Sequence, residues 1–204
     1  IIGSVELLEN DLVQPEDRPR FLGRIHQEAQ RLVSLINDIL GLSQLDEGAA
    51  MPRESVSLLS LAQEAAASLS AAAQAQNVTL TVNGTAGTLT GVRRLLSETV
   101  RNLCENAVKY NVPGGSITVT VAETPRAVTL TVADTGIGIP PADQSRVFER
   151  FYRVDKSHSR AIGGTGLGLS IVKHAVAYHH GTVQLDSTPG QGTVITVTLP
   201  KDAA

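Results

Sequence analysis

Across residues 21–45 apolar side chains recur every three or four positions, through Leu22, Ile25, Ala29, Leu32, Ile36 and Ile39, which predicts one long amphipathic helix with a heptad-like seam. Ile1, Val5, Leu8 and Leu12 repeat the spacing. Between the two runs, residues 14–19 (QPEDRP) interrupt with two prolines and turn-forming polar residues. A helical hairpin is expected. Two amphipathic helices cannot bury both of their faces, whereas hairpins from two chains close a four-helix bundle. The expected state is therefore a homodimer; packing of the helices on the rest of their own chain is the alternative, which the strict heptad spacing argues against.

The pattern changes after residues 48–52 (GAAMP), which read as a helix stop and short linker, dividing the chain into 1–48 and 49–204. Helical periodicity returns at 58–76 and 92–110. Five stretches, 78–82, 117–121, 128–132, 182–185 and 193–199, read as strands, and in several of them threonine alternates with valine, isoleucine or leucine. Such alternation leaves one sheet face buried and the other wet. Strands mixed with helices predict a two-layer α/β sandwich, a mixed sheet with helices over its apolar face. Residues 154–164 have no period; Asp155, Lys156, Ser157, His158, Ser159 and Arg160 beside Gly163 and Gly164 read as a mobile lid over a pocket.

Composition narrows the picture. With 42% hydrophobic residues but only 3% aromatic ones and no tryptophan, the core must be aliphatic. A formal net charge of -3 gives no basic field for nucleic acid or acidic lipid, so neither is an expected partner. No stretch reaches the roughly 18 uninterrupted apolar residues of a membrane span, and no membrane contact by these residues is expected. The single Cys104 has no partner for an internal disulfide and sits among apolar helix positions, which suits a buried, reduced thiol.

Five short segments between Asn102 and Thr193 carry the candidate chemistry: residues 102–110 (NLCENAVKY), 134–139 (DTGIGI), 148–153 (FERFYR), 163–169 (GGTGLGL) and 190–193 (GQGT). On a helix Asn102, Asn106, Lys109 and Tyr110 share one polar face, opposite Leu96, Val100, Leu103 and Ala107. An amide oxygen from Asn106, completed by phosphate oxygens, is a sensible magnesium site, because that ion takes hard oxygen ligands and keeps much of its water. A plain surface pair between Glu105 and Lys109 is the bland alternative. The amide of Asn102 cannot act as a general base. Asp134 follows an apolar run and precedes Gly136 and Gly138, where a carboxylate can accept amino hydrogens of a base; an ordinary turn reads the same way in isolation. Gly163 to Gly168 precede a helix with Leu169, Val172 and Val176 on one side, and amides at a helix start attract phosphate. The glycine-lysine pair of a P-loop is absent. Phe148 and Phe151 flank Arg150 and are expected to anchor the lid base in the core, while Gly190 and Gly192 shape a turn before the last strand.

Taken in order, these segments resemble the N, G1, F, G2 and G3 boxes of sensor histidine kinases, in the wider superfamily of topoisomerase and chaperone ATPases. The resemblance covers nearly the whole chain. It implies a Bergerat-type ATP-binding fold behind a dimerisation hairpin, with ATP and Mg2+ as ligands. By the same resemblance Asn106 is the metal-binding asparagine, Lys109 contacts phosphate, Tyr110 lies against the base and Asp134 specifies adenine beside Gly136 and Gly138. Gly164, Thr165, Gly166, Leu167 and Gly168 hold phosphate, and Asn102, Lys109 and Arg150 serve phosphoryl transfer, with Arg150 at the γ-phosphate. The implied activity is transfer of that group to a histidine and onward to a response-regulator receiver domain. Parent proteins of the family are cytoplasmic at this end and anchored through upstream segments.

Two departures stand out. The HExxxP motif holding the acceptor histidine of such kinases is absent, and alignment of the first ten residues places it ahead of Ile1; His26, His158, His174, His179 and His180 read as surface or packing residues. Val92 stands where relatives often carry aspartate, weakening a helix cap. A nucleotide-gated interaction module and a plain ATPase of the superfamily are the competing functions.

Overall fold

The computed structural model describes residues 1–46, 51–154 and 165–201. Helix α1 (Ile2–Glu9) stops short of Leu12, where the apolar spacing would have carried it. Asn10 is the reason: its side-chain amide donates to the Glu6 carbonyl (2.7 Å) in competition with a further helical turn, and Asp11 adopts a left-handed φ of 51°. Helix α2 (Arg18–Asp46) begins before its stripe does, with Pro19 in the first turn, where a missing N–H is no loss. No residue of α1 is buried, and Leu22, Leu32, Val33, Ile36 and Ile39 of α2 are exposed. The boundary expected at 48–49 falls outside the described residues, as does the lid apart from Val154.

Beyond the linker the chain forms β1 (Glu54–Ser57), α3 (Leu58–Ala75), β2 (Thr79–Gly84), β3 (Thr88–Gly91), α4 (Arg93–Lys109), β4 (Ser116–Glu123), β5 (Ala127–Asp134) and α5 (Pro141–Gln144). It ends with α6 (Gly168–Tyr178), β6 (Thr182–Thr188) and β7 (Gly192–Pro200). Five strands make one mixed sheet in the order β2-β4-β5-β7-β6, with β2 and β4 parallel and every other pair antiparallel. The two-layer sandwich expected from the alternating threonines is present. Along β4, Ile117, Val119 and Val121 are buried while Thr118 and Thr120 are only half-buried, and β5 repeats the pattern with Val128, Leu130 and Val132.

Three helices cover the buried face. Leu96, Val100 and Leu103 of α4 meet Val172 and Val176 of α6 and Leu61 of α3 over the sheet, in one aliphatic core that includes Cys104. Burial pushes the Cys104 thiol up to about 12, with the Glu105 carboxylate adding to the shift, so the group is a small apolar packing unit at neutral pH. Two elements exceed what the residue pattern showed. Strands β1 and β3 pair antiparallel through buried Val56 and Leu89, and their four-residue lengths carry too few positions for alternation to register. The short α5 is likewise new. Helix α3 ends one residue before the expected 76, because Asn77 turns left-handed at φ 55°.

Candidate nucleotide site

Helix α4 is the spine of the site. Its buried stripe faces the sheet, which turns Asn102, Asn106 and Lys109 half-exposed to the other side, and Tyr110 caps its end. Those four residues are brought onto one face, as their spacing required. The Asn102 amide donates to the Glu98 carbonyl (2.8 Å), which leaves its oxygen outward. Lys109 Nζ stands 5.0 Å from the Tyr110 ring centroid, so a cation and an aromatic face occupy the helix end together. Glu105 pairs with Arg101 at 3.4 Å, one turn back, rather than serving as a base.

The 134–139 turn is stitched to that helix end. Ile137 N–H donates to the Tyr110 carbonyl (3.0 Å), and a Cβ at Gly136 would run into the same carbonyl and sit 2.9 Å from the Asp134 carboxylate. Only glycine permits this approach. Asp134 ends β5 and accepts the Gly136 N–H at 2.8 Å. Burial raises its pKa, with hydrogen bonds from the Gly136 and Thr193 backbones pulling the other way. Gly138, at φ 69°, abuts the Thr188 carbonyl, and Gly190 N–H donates to Ile137 O (2.8 Å), so the β6–β7 hairpin braces the turn from behind.

On the opposite side lies the start of α6. Gly168 opens that helix against Asn102: a Cβ there would be 2.8 Å from the Asn102 amide oxygen. The N-cap residue Leu167 supplies no side-chain hydrogen bond to this helix start. Gly166 takes φ 74°, its carbonyl accepts the Phe151 N–H (2.9 Å), and the Thr165 hydroxyl accepts the Leu167 N–H (3.2 Å). Gly164 lies outside the described residues. The Leu167 side chain is fully buried with Ile171 against Leu35 of α2, so it joins the hairpin to the sandwich, and only its backbone is left for a ligand.

One expectation changes at the 148–153 segment. Phe151 does not anchor the core: it is 60% exposed at a left-handed φ of 63°, because its N–H is drawn to Gly166 and the side chain is thrown outward, while Phe148 is half-buried. Arg150 lies along α6, with Nη2 3.1 Å from Nε2 of His174, whose Nδ1 is 2.7 Å from the Ser170 carbonyl.

The donor set fits a magnesium nucleotide. Asp134 with its glycine cradle can take an adenine amino group, and the α4 face offers an amide oxygen, an ammonium and a ring. Among the described residues no three His, Cys, Asp or Glu side chains gather, so a metal at Asn106 would depend on ligand oxygens to complete its shell. An open cleft of about 690 Å³ lies elsewhere, between the linker and the start of α4, lined by Met51, Arg53 and Val92 but by none of these residues.

Comparison with known proteins bears on the family of the chain. Residues 91–203 match the family described as histidine kinase-, DNA gyrase B-, and HSP90-like ATPase, and residues 1–48 match the His Kinase A (phospho-acceptor) domain. The sensor-like histidine kinase SenX3 of Mycolicibacterium smegmatis is 36% identical over 98% of this chain and 54% of its own length. The sensor histidine kinase WalK of Bacillus subtilis is 37% identical over 89% of this chain and 30% of its own. The chain thus spans about half the length, or less, of the curated relatives it matches. Among solved structures, full-length ShkA in complex with AMPPNP aligns over 97% of this chain and 42% of its own with a TM-score of 0.78 at 27% identity. The Acinetobacter baumannii histidine kinase AdeS shares the fold over 98% of this chain and 92% of its own, with a TM-score of 0.80 at 17% identity.

Proposed function

This chain belongs to the sensor histidine kinases, with a catalytic domain of the gyrase B and HSP90-like ATPase superfamily, and from that premise we propose that it binds Mg-ATP between α4, the 134–139 turn and the start of α6. The observation that carries the reading is the junction of Tyr110 with Gly136, which holds the Asn106–Lys109 face beside the Asp134 carboxylate. In this reading Asp134 accepts the adenine amino hydrogens and Tyr110 lies against the ring. Asn106 offers its amide oxygen to the metal, Lys109 its charge to phosphate, and the backbone from Thr165 to Gly168 its N–H groups to the phosphate tail. When bound, magnesium supplies charge neutralisation at the phosphate oxygens.

The intact kinase would break the bond between the γ-phosphorus and the ADP oxygen and form one to a histidine nitrogen, the imidazole releasing its proton. A response-regulator aspartate would then take the group. Asn102 fits transfer better than hydrolysis: its amide is tied to Glu98 and has no basic nitrogen with which to activate water. Arg150 would complete the γ-phosphate contacts. The exposed apolar seam of α2, including Leu32 and Ile36, supports a homodimer through the hairpin. Among the described residues no helix is long and apolar enough to cross a membrane.

Calorimetric titration with Mg-ADP and a non-hydrolysable ATP analogue tests the site. Saturable binding that Asp134→Ala abolishes is the expected outcome; equal binding by native and variant chains would remove adenine from the assignment.

A further inference from the structure

The proposed nucleotide site needs two separate elements at a fixed distance: the Asn106–Lys109 face of α4, and the glycine turn that opens α6. Both helices sit on the sheet through aliphatic side chains, which resist separation but specify sliding only weakly. Two contacts fix what packing leaves loose. One is a close approach at the site itself, where a Cβ on Gly168 would stand 2.8 Å from the Asn102 amide oxygen. The other lies at the far end, where His179, just past α6 and 1% exposed, meets the residue that precedes α4: its Nε2 accepts the Val92 N–H at 2.9 Å, and its Nδ1 is 2.7 Å from the Ala175 carbonyl.

Because a carbonyl only accepts, Nδ1 carries the proton and Nε2 is left as the acceptor for Val92. The imidazole is thereby oriented from both sides. Gly91 makes room for it, since a Cβ there would stand 3.0 Å from Nε2 and 2.8 Å from Leu96 Cδ1. Val92 has no side-chain oxygen with which to cap α4, so the ring holds the entry to the helix through the backbone instead. The contacts run antiparallel, and their spans agree: ten residues of α4 cover about 15 Å and eleven of α6 about 16 Å at 1.5 Å per residue.

We propose that His179 is a positioning residue that pins the register of α6 against α4, and so sets the spacing between the metal-and-phosphate face and the phosphate turn. The inference rests on the nucleotide reading above. Without the pin, a slide of one residue would move Gly168 by about 1.5 Å relative to Asn102, more than the roughly 0.5 Å within which a binding constellation must be held.

Two substitutions separate the pin from bulk packing. His179→Gln keeps an acceptor near Nε2, whereas His179→Asn keeps a polar group only near Nδ1 and loses the bond to Val92. In the nucleotide-free chain, His179→Asn should shift the NMR signals of the Asn102 side-chain amide and the Gly168 backbone, and it should weaken Mg-ADP binding about tenfold or more. His179→Gln should restore both. Should His179→Asn fail to fold, Gly91→Ala, which forces a methyl group against Nε2, gives the same reading. If the Val92 amide signal moves but Asn102 and Gly168 do not, the contact is a local cap and the proposal is wrong. Native affinity in His179→Asn would overturn it as well. Absence of Mg-ADP binding in the native chain would instead sink the nucleotide reading, and the nucleotide-free Asn102 signal would still decide the pin.

Discussion

The hairpin and the sandwich use the same aliphatic alphabet to opposite ends. In the sandwich Leu61, Leu96, Leu103 and Leu130 are all but sealed from water, whereas in the hairpin Leu22, Leu32, Val33 and Ile36 are about half exposed or more. The sandwich closes its core within one chain. Helix α2 presents an exposed apolar seam, and among the described residues its Leu35 packs against Leu167 and Ile171 of the sandwich. A region's fold and its completeness are thus separate questions: α2 has good helical periodicity, yet among the described residues Leu22, Leu32, Val33, Ile36 and Ile39 of its apolar side are left exposed.

Truncating the sandwich core should give the largest effect. Leu103→Ala removes a buried side chain from the centre of α4 and should cost about 2 to 5 kcal/mol, read as a lower urea midpoint that does not depend on protein concentration. The hairpin should respond differently. Ile36→Lys places a charge on the exposed seam, and if that seam is a dimer interface the dissociation constant should rise about 30-fold, equivalent to about 2 kcal/mol. Sedimentation at a series of concentrations would show it, with Mg-ADP affinity unchanged. A native chain that is monomeric at high concentration would erase the contrast between the two regions.

Acid should weaken the sandwich through a buried imidazole, whereas His26 of the hairpin is exposed. Burial lowers the pKa of His179, the nearby Arg53 and His180 charges lower it further, and only the bond to the Ala175 carbonyl opposes. The unfolded imidazole titrates near 6.5, so the unfolded state binds the extra proton first. The contribution is therefore complete above that pH and is lost as pH falls through the lower folded value. Urea midpoints at pH 7.5 and 5.5 should differ more for the native chain than for His179→Gln, which has no imidazole to protonate at that position. Equal pH dependence in the two would mean that the other histidines or the carboxylates govern the loss.

Much of the site was legible because its signals are local. The spacing of Asn102, Asn106 and Lys109 determines a common face on any helix, and Gly136 and Gly138 mark close approaches that admit no Cβ. The sandwich could be read from threonine alternation for the same reason. What escaped was tertiary in origin. His179 read as a packing residue, which it is, but its bond to Val92 joins positions 87 residues apart. Leu167 read as part of a phosphate loop, although its side chain is claimed by Leu35 of the hairpin. Phe151 has the composition of a core anchor and is turned outward by a backbone bond to Gly166. Residue type and spacing carry no record of which partner a loop finds across the fold.

The smallest expected effect is the one best able to test whether burial alone distinguishes the two regions. Each has an exposed ion pair at a helix start: Arg18 with Asp11 at α2, and Arg93 with Glu64 at α4. Such pairs contribute about 0 to 1 kcal/mol, and an arginine in a first turn opposes the helix dipole by about 0.3 to 1 kcal/mol, so the terms offset. Arg18→Ala and Arg93→Ala should each change stability by less than about 0.5 kcal/mol, with the difference shrinking further at high salt because both terms are screened. A loss well above that at Arg18 alone, in a monomeric sample, would show that the hairpin turn has a stability of its own. The exposed seam of α2 would then no longer imply a missing partner, because polar contacts within the hairpin would be holding α1 on α2 where apolar burial does not.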